Sequence, residues 1–150
     1  MRSTKKISLV LFLAVVYWSG GVSPAQAQTA AAKTDNKLLG TWKMVSAKYG
    51  GQEFKFPEGT TTLKHVTANQ FIWVGHDEDG KITRAAGGSY TIKGDTYEEV
   101  PQYGLGEDFG VIKGQPQIFK WKVDGNKWHH NGKLSNGLTI EEVWERVVKK

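Results

Sequence analysis

The sequence predicts an all-β protein, an antiparallel up-and-down β-barrel of about 8 to 10 strands. Three observations carry the prediction. From Leu38 onward, runs rich in β-branched and aromatic residues recur roughly every 8 to 12 residues. Turn signals separate them: YGG at 49–51, DEDG at 77–80, KGD at 93–95, VDGN at 123–126 and SNG at 135–137. No stretch after residue 38 holds a sustained helical period, and only 103–115 has room for a short helical turn. With no helices to cover an open sheet, closure into a barrel best removes the edge strands.

Residues 1–27 read as an address. Basic MRSTKK is followed by apolar ISLVLFLAVVYW and then SGGVSPAQA, with small residues at Ala25 and Ala27. Cleavage after Ala27 is expected. The apolar run Ile7 to Trp18 has 12 residues, short of the roughly 20 that a spanning helix needs. The expected location is therefore periplasmic or secreted, with no membrane span after cleavage. The chain has no cysteine, which excludes a lipid-anchoring thiol, a disulfide framework and thiolate chemistry. Residues 28–37 are small and polar without a period and are expected to form a flexible leader, so the domain is placed at 38–150. Arg2, Lys5 and Lys6 fall in the leader; 17 of the 20 basic residues remain against all 15 acidic ones, a net charge of +2. These charges are interspersed along the chain, which argues against a nucleic-acid surface.

Alternation assigns the faces of each strand. In TWKMVSAK, Trp42, Met44 and Ser46 are expected inside. The run FIWVGH is apolar on both parities, and Phe71 with Trp73 is the inward choice. Gly87 and Gly88 precede SYTIK, where a strongly coiled sheet needs a kink, and Tyr90 and Ile92 point in. In FKWKV the inward set is Phe119, Trp121 and Val123; in NKWHH it is Trp128 and His130. The last strand, TIEEVWERV, puts Ile140, Glu142, Trp144 and Arg146 on one face.

If the first and last strands pair, Arg146 can lie over the indole of Trp42, a cation–π contact of about 0.5 to 2 kcal/mol that plugs one end. A side chain at Gly40 would obstruct the entry of the chain beneath that plug. Gly40-x-Trp42 together with Arg146, in the context of LLGTWKMVS, KHVTANQFIW, GGSYTIKGDTYEE and IEEVWERV, resembles the signature of lipocalins and the wider calycin group. More specifically, the chain is similar to the small bacterial secreted lipocalin-like domain proteins, a family of unknown function. The resemblance spans 38–148 and implies a barrel with a cup for one small, largely apolar ligand. With 123 residues after cleavage and no disulfide, the chain is nearer in size to fatty-acid-binding proteins than to long lipocalins.

Candidate site residues follow from inward parity. Phe71, Trp73, Tyr90, Tyr97 and Trp121 are candidate walls, although such aromatics are equally at home in a core. His65, Glu99 and His130 are candidate polar anchors. A buried carboxylate needs a partner, and for Glu99 and Glu142 the candidates are Tyr hydroxyls, His65, His130, Arg146 or a ligand with a donor group. No metal and no cofactor is expected: His129 and His130 point to opposite faces, and neither H-x-H nor H-E-x-x-H occurs. YGLGEDFGVIKGQ (103–115) resembles a phosphate loop only in its glycines; Glu107 and Asp108 would repel the anion, and a mobile rim connection is expected instead. No nucleophile elbow such as G-x-S-x-G is found, so no catalytic residue is assigned. The expected function is that of a monomer binding a small hydrophobic or amphipathic molecule. The alternative is a structural or interaction module of the cell envelope with a barrel filled by side chains, and an acid–base enzyme using the inner Glu and His is a third reading.

Overall fold

The computed structural model describes residues 36–148. The expected signal, 1–27, and the leader up to residue 35 lie outside the described residues. Nine strands and one short helix follow in the order β1 Gly40–Tyr49, β2 Gln52–Glu53, β3 Thr61–Val66, β4 Gln70–His76, β5 Ile82–Lys93, β6 Thr96–Leu105, α1 Glu107–Ile112, β7 Gln117–Asp124, β8 Lys127–Lys133 and β9 Thr139–Arg146. Each long strand pairs antiparallel with its sequence neighbour, and β1 also pairs with β9, from Trp42 opposite Arg146 to Tyr49 opposite Ile140. The eight long strands thus close an up-and-down barrel. β2 is a two-residue return of the chain onto the end of β1. All five expected turns join consecutive strands, and the helical turn expected within 103–115 is α1.

Two local departures change which residues face the interior. The β1–β9 register shifts between Met44 and Ser46; the extra residue of such a bulge flips the phase of everything after it. Ser46, expected inside, is exposed, and Ala47 takes the buried position. Gly87 and Gly88 lie within β5, not before it, at a second shift opposite Tyr103 and Pro101. A Cβ on Gly88 would sit 2.0 Å from the carbonyl oxygen of Val100, so only glycine lets β5 and β6 approach this closely.

One end of the barrel is filled. Trp42, Trp128 and Trp144 are buried with Phe71, Tyr90, Tyr97 and Phe119. Two of their ring pairs meet edge to face, Trp42 and Trp128 5.6 Å apart at 68° and Tyr97 and Trp128 5.4 Å apart at 87°, and the others are tilted, as Trp128 and Trp144 are at 31°. The Arg146 guanidinium lies 4.1 Å from the centre of the Trp42 ring and donates to the carbonyls of Leu39 and Lys37 at 2.6 and 2.5 Å. Trp42 Nε1 donates to Leu38 O at 2.8 Å. Gly40 has φ of 122°, and a Cβ there would meet Arg146 Nη1 at 3.0 Å; both the backbone and the plug call for glycine. The chain is anchored slightly earlier than the expected domain start, because Asn36 donates to the Tyr90 hydroxyl at 2.6 Å and accepts from Leu38 N.

Candidate functional site

Above the aromatic layer, four ionisable side chains reach the axis from four different strands. Lys64 on β3 is 1% exposed, and its Nζ lies 2.7 Å from Glu99 Oε1 on β6. Tyr97 OH donates to the same oxygen at 2.7 Å. Burial, and then the Glu99 charge, push the Tyr97 phenol well above its ordinary pKa, so it remains a donor. The rings of Trp128, Trp144, Phe71 and Tyr97 surround the ammonium at 5.0, 5.1, 5.6 and 5.8 Å, within cation–π range.

Beside this pair stands a second one. His130 on β8 and Glu142 on β9 are direct cross-strand partners, with Nδ1 3.0 Å from Glu142 Oε2. The carboxylate also accepts from Trp144 Nε1 at 3.0 Å and from Tyr49 OH at 3.1 Å. Burial acts to raise the Glu142 pKa, but the His130 hydrogen bond, His130 and Lys64 charges and the Trp144 N–H outweigh it, leaving the carboxyl below its usual range. Burial followed by the Lys64 charge pushes His130 below the ordinary imidazole value, against the pull of Glu142. A neutral imidazole facing a carboxylate through Nδ1 carries its proton there, which leaves Nε2 as a bare acceptor. Among the described residues, His130 Nε2 and Trp128 Nε1 are the buried side-chain polar atoms without a hydrogen-bond partner.

These groups form the floor of a cavity of about 350 Å³. Its walls are Met44, Phe119, Ile140, Trp144 and Trp73, and its mouth is edged by Phe54 from the β2–β3 connection, Val111 and Ile112 of α1, and Leu134 and Leu138 from the β8–β9 turn. The opening has a structural cause. The β6–β7 ladder ends at Glu99 opposite Gln117, so the rest of β6 runs free of β7 and α1 fills the gap. Gln117, 1% exposed, ties the two sides of the mouth together: its amide nitrogen donates to Gln115 O and Ser135 Oγ, and its oxygen accepts from Ser135 N. Arg84 stands at the mouth, 5.7 Å over the Phe54 ring and 3.3 Å from Thr62 Oγ1.

The sequence matches no protein-family model and no curated protein. Solved structures do match. A lipocalin-like protein from Bacteroides uniformis ATCC 8492 superposes with a TM-score of 0.54 at 14% identity, over 73% of this chain and 98% of that one. The fold is lipocalin-like. An uncharacterized protein from Bacteroides eggerthii DSM 20697 superposes with a TM-score of 0.56 at 12% identity, over 73% of this chain and 99% of that one. The closed barrel, the Gly40–Trp42–Arg146 plug and these superpositions agree.

Within this lipocalin-like barrel the expected site residues separate into four groups. Trp73, Glu99 and His130 line the cavity. Phe71, Tyr90 and Tyr97 point inward but belong to the packed layer beneath it; Tyr90 OH donates to Thr67 O at 2.6 Å and helps seal the closed end. Trp121 is only half-buried, and its Nε1 donates to Gly94 O at 3.2 Å, at the closed rim and away from the cavity. His65 is a correction. It lies on the outer face, with Nδ1 3.0 Å from Thr41 Oγ1, because the inward set of β3 is Thr62, Lys64 and Val66. Lys64 was missed for a plain reason: a lysine in an alternating strand is ordinarily placed outside. Register supplies the missing signal. In a tight β3–β4 hairpin Val66 lies opposite Phe71 and Lys64 opposite Trp73, and directly opposed residues share a face, so placing Phe71 and Trp73 inside places Lys64 inside as well.

Proposed function

We propose that this protein is exported, cleaved after Ala27, and binds one small hydrophobic or amphipathic molecule in the open half of its barrel as a monomer. The observation that carries this reading is the cavity itself. Its volume of about 350 Å³ is at the small end of the roughly 300–1,000 Å³ typical of ligand sites, with apolar walls and a few convergent polar groups at the bottom. The apolar part of a ligand would lie against Trp73, Met44 and Ile140, and its polar end against the floor. The alternative of a side-chain-filled module describes the aromatic half of the barrel only.

Native mass spectrometry of protein purified from its own organism tests the proposal. The expected spectrum is a monomer beginning at Gln28 that carries a non-covalent small-molecule adduct. A chain retaining residues 1–27 would contradict export. A bare chain whose tryptophan fluorescence is also unchanged by lipids and aromatic compounds would contradict ligand binding.

A further inference from the structure

The charges on the floor of the cavity are not balanced, although Arg84 adds a second cation at the mouth, and the imbalance bears on what the floor takes. Lys64 already has its counter-ion in Glu99 at 2.7 Å and is enclosed by four aromatic rings. Glu142 has three hydrogen-bond donors, from His130, Trp144 and Tyr49, but no cation of its own. With His130 neutral, the floor holds one ammonium against two carboxylates. An incoming carboxylate would have to compete with Glu99 for Lys64, which would gather like charges around a single ammonium in a poorly solvated space.

We propose, building on the ligand-binding reading above, that the polar end of the ligand is a hydrogen-bond donor, a protonated amine above all, received by Glu142 and Glu99. A carboxylate end is disfavoured at the floor. Arg84 edges the same cavity at its mouth, so a ligand that entered tail first would leave an anionic end near it, and Arg84→Gln supplies the control.

Three probes with one tail and different ends separate the outcomes: octylamine, 1-octanol and octanoate, titrated against tryptophan fluorescence near pH 7. Trp73 in the wall reports occupancy. Octylamine should bind at least about tenfold more tightly than octanoate, as expected where one charge-assisted contact replaces one repulsion, with 1-octanol between them. Glu142→Gln should bring the octylamine-to-octanoate ratio towards unity, and Arg84→Gln should not lower it. Glu142→Gln removes a buried partner and can compromise folding, so the wild-type ranking decides by itself. Octanoate binding as tightly as octylamine, or more tightly with loss on Arg84→Gln, would overturn the donor-end proposal while leaving cavity binding intact. Binding by none of the three would overturn both.

Discussion

The two ends of the barrel are held by different kinds of bond. At the closed end, side chains bind mainly the backbone: Trp42 to Leu38 O, Arg146 to Leu39 O and Lys37 O, Tyr90 to Thr67 O. On the floor of the open half they bind one another: Lys64 and Tyr97 to Glu99, and His130, Trp144 and Tyr49 to Glu142. Backbone acceptors are fixed wherever the strands go, so the closed end follows once the fold is made. Side-chain partners are fixed only by each other, so losing one member leaves another buried and unpaired. The closed end is therefore a structural plug. The open half is a polar network around a space.

Substitutions of tryptophan test this difference most strongly. Trp42→Ala removes a fully buried ring and the seat of Arg146, and should cost about 3–5 kcal/mol in denaturant unfolding. Trp73→Ala, at the cavity wall and only partly buried, should cost clearly less while weakening ligand binding. Equal losses of stability at the two positions would erase the distinction.

Breaking the polar network comes next. Lys64→Met strands Glu99 beneath the cavity and should destabilise by about 3 kcal/mol or more, whereas Lys64→Met with Glu99→Leu should recover most of that loss. The recovery is the informative part. If the double variant is no better than the single one, the pair is not the coupled unit described.

The pH response is a smaller effect, and His130 in the open half begins it on the acid side. His130 has a folded pKa below the ordinary imidazole value of 6.5, so the unfolded chain takes up its proton first. Stability is then full above about pH 6.5 and falls as pH drops through the folded value. Glu142, also below the ordinary carboxyl value of 4.5, adds a second loss under further acidification. Tyr97, raised well above 10.0, contributes stability that is lost only as pH rises past the unfolded phenol value. Denaturant midpoints measured from pH 4 to 8 should therefore decline towards acid, and His130→Asn should remove the step that begins near the unfolded imidazole pKa. A flat profile would mean that His130 is not held neutral.

The same division explains what could be read in the chain beforehand. Gly40, Trp42 and Arg146 announce the plug because each has a single geometric task. Glu99, His130 and Glu142 follow from alternation along regular strands. A bulge leaves no mark in the local pattern, so alternation puts Ser46 inside, and alternation within β3 alone puts His65 inside where the register with β4 selects Lys64. The cavity itself was out of reach. It depends on where the β6–β7 ladder stops and on how α1 covers the gap, and both are decided by contacts between distant segments.

Filling the space tests most directly whether it is a binding site. Thr62, buried and facing the cavity, can be replaced by Phe to occupy part of the volume, and octylamine affinity can then be compared with the wild type. The account predicts a folded variant, shown by an unchanged near-ultraviolet circular dichroism spectrum, whose binding is at least about tenfold weaker, a difference of about 1.4 kcal/mol. Undiminished binding in a folded Thr62→Phe barrel would contradict it, because the ligand would then be sitting somewhere else.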